Sequence, residues 1–335
     1  MFNGGHGGNV MGISRSRGWD WRGVLDLSAS INPLGPSPLV RAAIIEAIEC
    51  AAHYPEPGAP RLAAALAGRW QIDPAQILTG NGSTELIHFL ARAWPQPEVT
   101  LAAPAFLEFH RVYPGARLAP FGRLPDTGLA VLSQPNNPTG SAVAFERLRE
   151  WLLDTSQPVL LDESFIDFSG LPSAVTLTSR CPNLLVLRSL TKFYALPGLR
   201  VGALAGHPDL IARLREQRDP WAVNVLGEAA ALAALSDREH AERTLQVIAK
   251  ERIWLWKQLW KIPGLRACPS SANFFLFQMD SPAARLCDWL LERKVVVRDC
   301  SGWPGVEGQA VRFAIRTRAE NQRFLGLLEE FFCAR

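Results

Sequence analysis

Short, wholly apolar segments alternate with helical segments through the middle of this 335-residue chain. The predicted strands are 99–102, 129–132, 159–161, 184–187 and 201–204. The predicted helices are 83–94, 144–153, 208–217 and 223–235. Strands that are apolar on both faces are typical of a parallel sheet covered by helices on each side. The pattern therefore predicts an α/β fold with a mostly parallel central sheet, in which ligands bind beyond the carboxyl ends of the strands.

The pattern changes in the last hundred residues. A long amphipathic helix is predicted at 237–261, because apolar residues recur there at helical spacing. Strands at 273–277, 295–297 and 310–315 and a helix from Ala319 follow it. The first 30 residues are glycine-rich and show little periodicity. We predict an N-terminal arm (1–35), a large domain (36–235), and a connecting helix with a smaller α+β domain (236–335).

Composition excludes several classes of protein. The net charge of +3 lacks a dense basic block, so nucleic acid is not an expected partner. No apolar run approaches the roughly 18–20 residues of a membrane span, and the N-terminus does not resemble a secretion signal. The six cysteines are scattered without a Cys-x-x-Cys pair. They predict a cytoplasmic protein with reduced thiols and no metal site.

Lys192 is the most informative single residue. The chain has only five lysines, and the other four lie among charged or amphipathic neighbours. Lys192 instead follows the apolar strand 184–187, where a buried amine is costly unless it is paired or reactive. A lysine held there has a lowered pKa and condenses with aldehydes. Its position therefore indicates pyridoxal phosphate as the cofactor.

Other residues meet the separate demands of that cofactor. A helix N-terminus after Gly80-Asn81-Gly82, with Ser189 and Arg200, suits a phosphate. Asp162, at the end of a strand, suits the protonated ring nitrogen, since such a charge-assisted bond contributes roughly 1.5–3 kcal/mol. Asn137 suits the phenolic oxygen, and Phe106 suits the ring face.

Each feature has a simpler reading on its own. Asn137-Pro138-Thr139-Gly140 is also a common turn, Gly80-Asn81-Gly82 a loop, and Asp162-Glu163 a solvated strand end. Their joint order and spacing favour the functional reading.

The whole set resembles the fold-type I pyridoxal-phosphate enzymes of the aminotransferase class I/II family. The motifs that carry the resemblance are Asn81-Gly82-Ser83-Thr84-Glu85, Asn137-Pro138-Thr139-Gly140, Asp162-Glu163-Ser164-Phe165, and Ser189-Leu190-Thr191-Lys192 with Arg200. The resemblance implies that Lys192 binds the cofactor covalently and moves protons. The cofactor ligands that it implies are Asp162, Asn137, Phe106, Ser83, Thr84, Ser189 and Arg200.

The resemblance also implies roles beyond the cofactor. Tyr54 would reach the cofactor phosphate of a second subunit in a homodimer, and Arg312 would bind the substrate carboxylate. Phe165 departs from the pattern, since many members have a tyrosine there. The departure removes one donor to the phenolic oxygen.

Two groups within the family are most similar. They are the L-threonine-O-3-phosphate decarboxylases of cobalamin biosynthesis and the histidinol-phosphate aminotransferases. The segments around 6–9, 26–36, 164–168 and 316–321 are similar to the decarboxylases, which favours decarboxylation to (R)-1-aminopropan-2-ol O-phosphate. A small phosphorylated amino acid is then the expected substrate, and its candidate ligands are His6, Asn32, Arg312 and Arg316.

Alternatives remain for some of these residues. His6 in a floppy arm, Asn32 in a turn and Arg316 on the surface are the simpler readings. A non-enzymatic relative would be expected to lack the lysine or the aspartate, and this chain has both.

Overall fold

A seven-stranded sheet lies at the centre of the computed structural model, which describes residues 6–333. The strands are β1 (Leu25–Asp26), β2 (Ile77–Gly80), β3 (Val99–Ala103), β4 (Arg117–Pro120), β5 (Leu129–Ser133), β6 (Val159–Asp162), β7 (Leu184–Ser189), β8 (Gly202–Gly206), β9 (Leu265–Ala267), β10 (Phe274–Met279), β11 (Val295–Val296), β12 (Arg298–Asp299) and β13 (Gln309–Ala314).

Twelve α-helices accompany these strands in the described part of the chain. They are α1 (Val10–Arg17), α2 (Pro38–Glu46), α3 (Pro60–Trp70), α4 (Ser83–Ala93), α5 (Leu107–Val112), α6 (Phe145–Asp154), α7 (Leu190–Phe193), α8 (Pro208–Arg215), α9 (Val225–Ser236), α10 (Arg238–Leu259), α11 (Ala283–Glu292) and α12 (Arg318–Cys333). No helix between residues 6 and 333 combines the length and the apolar character that crossing a membrane requires.

The central sheet has the order β2-β8-β7-β6-β5-β3-β4. Within residues 6–333, β8 alone among its strands runs antiparallel to the others. Successive residues of β6 face opposite sides, so Leu160 packs in the cluster with α4 while Leu161 packs in the cluster with α6. This two-sided burial explains the apolar runs, and the predicted α/β class with a mostly parallel sheet is confirmed.

A smaller antiparallel sheet, β12-β13-β10-β9, forms the C-terminal core. Its aromatic residues Phe274, Phe277 and Phe313 are fully buried among side chains of α10, α11 and α12. The predicted strand at 295–297 is divided, because 295–296 pairs with β1 while 298–299 pairs with β13.

The N-terminal segment differs from the predicted arm without core contacts. Residues 10–17 form α1, and β1 pairs in parallel with β11 across about 270 residues of sequence. Leu25 and Leu27 are buried in the C-terminal core as a result. The first five residues of the arm lie outside the described residues, and the predicted domain boundaries stay predictions.

Candidate active site

The carboxyl ends of β2, β3, β5, β6 and β7 lie at the same edge of the central sheet, because these strands are parallel to one another. A pocket opens at this edge, where the geometry of such sheets places ligands. The predicted residues that line it are His6, Ser83, Thr84, Phe106, Asn137, Asp162, Lys192, Arg200 and Arg312.

Lys192 lies on the short helix α7, directly after β7. Burial, together with the positive charges of Arg312 and Arg200, lowers the pKa of its amine to about 8, against the opposing charges of Asp162 and Asp26. An amine with this pKa is partly neutral near pH 7.5, which is the state that attacks an aldehyde. The site therefore contains a nucleophile suited to the cofactor.

Asp162 ends β6 and is 5% exposed. One of its carboxylate oxygens, Oδ1, accepts a hydrogen bond from the backbone N–H of Ser164 at 2.9 Å. Burial raises the pKa of this carboxyl, despite the Ser164 hydrogen bonds and the charge of Lys192. A cation placed against it in the pocket would stabilise the ionised form, and a protonated ring nitrogen supplies that cation.

The N-terminus of α4 and Arg200 form a concave surface for an anion. Gly82 has φ of 86°, a left-handed conformation that favours glycine, and an added Cβ would overlap the Arg200 guanidinium. A Cβ at Gly202 would lie 2.7 Å from the backbone nitrogen of Ser83. These glycines let Arg200 approach the helix N-terminus closely, and the donors there fit a phosphate group.

The acidic side chain in the first turn of α4 is neutralised by an arginine, so it does not repel an anion at this surface. Glu85 lies in the first turn of α4, and both of its oxygens accept hydrogen bonds from Arg218 at 2.5 Å. The ion pair neutralises a carboxylate that would otherwise repel a bound phosphate. Arg218 thus neutralises Glu85 beside this surface without lining the pocket.

Arg312, on β13, reaches the opposite side of the pocket and is 7% exposed. It donates to Oδ1 of Asn137 through Nη1, and to the carbonyl of Ser28 at 3.1 Å through Nη2. Its Nε has no hydrogen-bond partner among the described residues. The contact fixes the Asn137 amide so that its Nδ2 is left to donate, as a phenolic oxygen requires.

Replacing Arg312 by glutamine is expected to raise the KM for an amino-acid substrate by about 10- to 100-fold, because a charge-assisted hydrogen bond contributes ~1.5–3 kcal/mol. The matched control is Arg316→Gln, since Arg316 is outside the pocket and pairs with Glu320 at 3.2 Å. The two side chains are 22% and 31% exposed, and an ion pair near the surface contributes roughly 0.2–1 kcal/mol, so less than about a fivefold change is expected. Steady-state kinetics with equal effects of the two substitutions would contradict the assignment of Arg312.

Four predicted residues lie outside the pocket lining: Ser189, Asn32, Arg316 and Tyr54. Ser189 is 2.8 Å from the hydroxyl of Thr191, which does line the pocket. The amide of Asn32 donates to the carbonyl of Phe193 at 2.9 Å and to Thr244 at 2.8 Å. Asn32 therefore holds the segment that carries Lys192, and its predicted contact with substrate stays a prediction.

The structure adds residues to the site that the sequence did not single out. Ser28 and Ser30 line the pocket from the segment after β1, and Ser30 Oγ has no partner among the described residues. Glu108 lies behind His6 and binds its ring. No local pattern marks these residues, because they reach the site through long-range packing.

The chain is similar to several known proteins. Residues 122–328 match the model of the family Aminotransferase class I and II. The threonine-phosphate decarboxylase of Salmonella typhimurium is 33% identical over 98% of this chain and 96% of its own length. The histidinol-phosphate aminotransferase of Symbiobacterium thermophilum is 34% identical over 91% and 90%. The L-threonine-O-3-phosphate decarboxylase structure from Porphyromonas gingivalis superposes with a TM-score of 0.86 at 26% identity, covering 92% of this chain and 99% of that one.

Proposed function

This chain belongs to the class I and II aminotransferase family of pyridoxal-phosphate enzymes, and on that premise we propose that it decarboxylates L-threonine O-3-phosphate. The products are (R)-1-aminopropan-2-ol O-phosphate and carbon dioxide, and the reaction belongs to cobalamin biosynthesis. The observation that carries the proposal is the position of His6, which lines the pocket beside Phe106 with 5.9 Å between ring centroids. The N-terminal segment thus brings a further candidate anion ligand to a site that already holds Arg312.

If the site binds both the phosphate and the carboxylate of the substrate, the orientation of the substrate determines which bond breaks. When bound, the cofactor would withdraw electrons from the substrate's α-carbon and so weaken the bonds to that carbon. By holding the substrate phosphate, His6 and related donors would orient the substrate so that the bond to its carboxylate is the one that breaks. Binding energy from a group remote from the reaction is used in this way to favour one transition state.

Lys192 is the proposed proton donor. Loss of carbon dioxide leaves an electron pair on Cα, and one proton must be added there to complete the product. The Nζ of Lys192, with its pKa lowered to about 8 by burial and by nearby arginines, is suited to deliver that proton near neutral pH. Protonation at Cα completes a decarboxylation without an oxo acid.

The test is release of carbon dioxide from L-threonine O-3-phosphate by purified, cofactor-loaded protein without an oxo acid. Many turnovers per subunit are expected. L-serine O-phosphate is a matched comparison, since one methyl group contributes roughly 1–3 kcal/mol of discrimination. No release, together with amino transfer from histidinol phosphate to 2-oxoglutarate, would overturn the proposal.

An aminotransferase of the histidinol-phosphate type is the second candidate, favoured by the 34% identity to such an enzyme. In that case Arg312 would hold the substrate carboxylate so that the Cα–H bond, and not the bond to the carboxylate, is the one that breaks. Full conversion of the bound cofactor to its amine form by a single equivalent of substrate would identify this activity.

We propose further that the protein is a homodimer. Tyr54 is 81% exposed and stacks on Trp221 at 4.7 Å, so its hydroxyl is available to a second subunit. The same segment exposes Ile45 and Ile48, at 72% and 58%. An apolar exposed segment of this kind suits an interface. The free cysteines support a cytoplasmic location, where reduced thiols are usual.

Light scattering is expected to give twice the chain mass of 36.9 kDa. Ile48→Asp is expected to shift the protein to monomers, because it introduces a charge into the buried contact. The matched control is Leu118→Asp, at an exposed position on β4 at the opposite edge of the sheet. Tyr54→Phe is expected to weaken cofactor binding by about 2- to 10-fold without dissociating the dimer. A fully active 36.9 kDa species would contradict the proposal.

A further inference from the structure

Glu108 is a buried carboxylate at the mouth of the pocket with three basic partners. It lies on α5, and its side chain is 3% exposed. Its Oε1 is 2.6 Å from Nε2 of His6 and 2.8 Å from Nη1 of Arg111, and its Oε2 is 2.7 Å from Nε2 of His88. Burial of such a group is costly, so its partners and its place beside the pocket need an explanation.

The residues that follow His6 are attached to the segment after β1. The backbone N–H of Gly8 donates to Ser28 Oγ at 2.8 Å, and that hydroxyl donates to Asp26 at 2.6 Å. Gly7 packs so closely on Ser28 that an added Cβ would overlap its carbonyl. The backbone is therefore fixed to the segment after β1, while the imidazole is fixed to α5.

We propose that Glu108 is a positioning residue that holds His6 by Nε2 and thereby presents Nδ1 to the phosphate of the substrate as an imidazolium. The inference rests on the proposed function, in that the substrate must carry a phosphate. With Nε2 donating to Glu108, Nδ1 is the ring nitrogen left to bind an anion. It donates a hydrogen bond only when the ring is doubly protonated.

The charges around His6 act in opposite directions. Burial, the largest cause, and the charges of Arg111 and Arg298 hold the pKa of His6 below its usual value, although the charge and hydrogen bond of Glu108 raise it. Although burial raises the pKa of Glu108, the hydrogen bond from His88 and the charges of His6 and Arg111 hold it below its usual value. Glu108 therefore stays ionised and opposes the lowering of the His6 pKa, so that the negative charge of a bound phosphate completes the stabilisation of the imidazolium.

A purely structural Glu108 would only tie α5 to α4 through His88. Such a role would affect folding and the turnover number but would leave the titration of His6 unchanged. The two roles are separated by the pKa of the His6 ring and by the pH dependence of KM.

The first measurement is the titration of the His6 ring by NMR in the cofactor-loaded protein, with the resonance assigned by its loss in His6→Gln. Glu108→Gln is expected to lower the pKa of His6 by about one unit, since it removes the adjacent negative charge. The matched control is Glu98→Gln, because Glu98 is an exposed carboxylate that pairs with Arg117, and this variant is expected to leave the pKa of His6 unchanged. An unchanged pKa of His6 in Glu108→Gln would overturn the inference.

Arg111→Gln is expected to shift the pKa of His6 in the opposite direction, and it keeps the Glu108 carboxylate. Because Arg111 is 52% exposed, the variant is expected to fold as the wild type does, and the pKa of His6 is expected to rise. A fall or no change would overturn the inference even where Glu108→Gln fails to fold. Inorganic phosphate, used as the probe, is expected to raise the pKa of His6 in the wild-type protein and less in Glu108→Gln.

Kinetics supply the second measurement. Because the imidazolium is the binding form, KM for the phosphorylated substrate is expected to rise with pH. In Glu108→Gln this rise begins about one pH unit lower, so KM near pH 7.5 increases by about tenfold while kcat changes little. Absence of carbon dioxide release from the wild-type protein would overturn the proposed function alone, because the NMR titrations do not depend on turnover.

Discussion

Lys192→Ala is expected to abolish the visible absorbance of covalently bound cofactor and to lower activity by more than about 10³-fold. The variant removes both the amine that condenses with the aldehyde and the proposed proton donor at Cα, and proton transfer alone contributes about 10²–10⁴-fold. Because Lys192, on α7, is the only lysine among the described residues that line the pocket, no neighbouring lysine can replace it.

The control for this prediction is Lys261→Ala. Lys261 is exposed and bonds only Gln258, at 2.9 Å, so its removal is expected to leave both absorbance and rate unchanged. Absorbance spectroscopy after gel filtration separates bound from free cofactor. A retained absorbance band in Lys192→Ala would show that a different amine binds the cofactor.

Asp162→Asn is expected to lower kcat by about 10²–10³-fold, comparable to the loss of one preorganised electrostatic group in other active sites. The amide keeps the shape of the side chain and can still accept the hydrogen bond from Ser164, but it cannot keep a ring nitrogen protonated. Steady-state kinetics of the cofactor-loaded variant measure the loss. Asp154→Asn, on an exposed residue at the end of α6, is the matched control and is expected to retain the wild-type rate.

In the cofactor-free protein, Asp162→Asn is expected to increase the free energy of unfolding, although it lowers kcat. Burial raises the pKa of Asp162 in the folded state above its unfolded value of about 3.9. The contribution of this carboxyl to stability is thus full below about pH 3.9 and is lost as pH rises through the folded pKa. Because asparagine does not ionise, the stability of Asp162→Asn relative to the wild type should increase as pH rises through the folded pKa of Asp162. If denaturation experiments show a large decrease in the free energy of unfolding of Asp162→Asn, Asp162 has a structural role.

Much of the fold was predictable from local sequence. The strands of the central sheet are apolar on both faces, so their positions were visible as short apolar runs. The helices at 83–94 and 144–153 were visible from their apolar spacing, and the structure has α4 and α6 there. The pairing of β1 with β11 was not predictable, since two residues per strand give no periodic signal and their partners are distant in sequence.

The candidate cofactor ligands were predictable because each follows a strand in a characteristic motif. Lys192, Asp162 and Asn137 all line the pocket, although their roles stay predictions. No sequence pattern indicates Glu108, since a glutamate on a short helix is ordinarily solvent-exposed. Asn32 was a candidate substrate ligand, yet its amide hydrogens are used by Phe193 and Thr244.

The sequence by itself determined the strand pattern, the family resemblance and the residue types that its chemistry requires, because these depend on spacing along the chain. Only the tertiary structure decided which side chains share the pocket and what surrounds them. His6 contacts Glu108, which is 102 residues away in sequence, and Arg312 contacts Asn137, which is 175 residues away. Such contacts depend on how distant elements pack, and they set the burial and neighbouring charges that control each pKa.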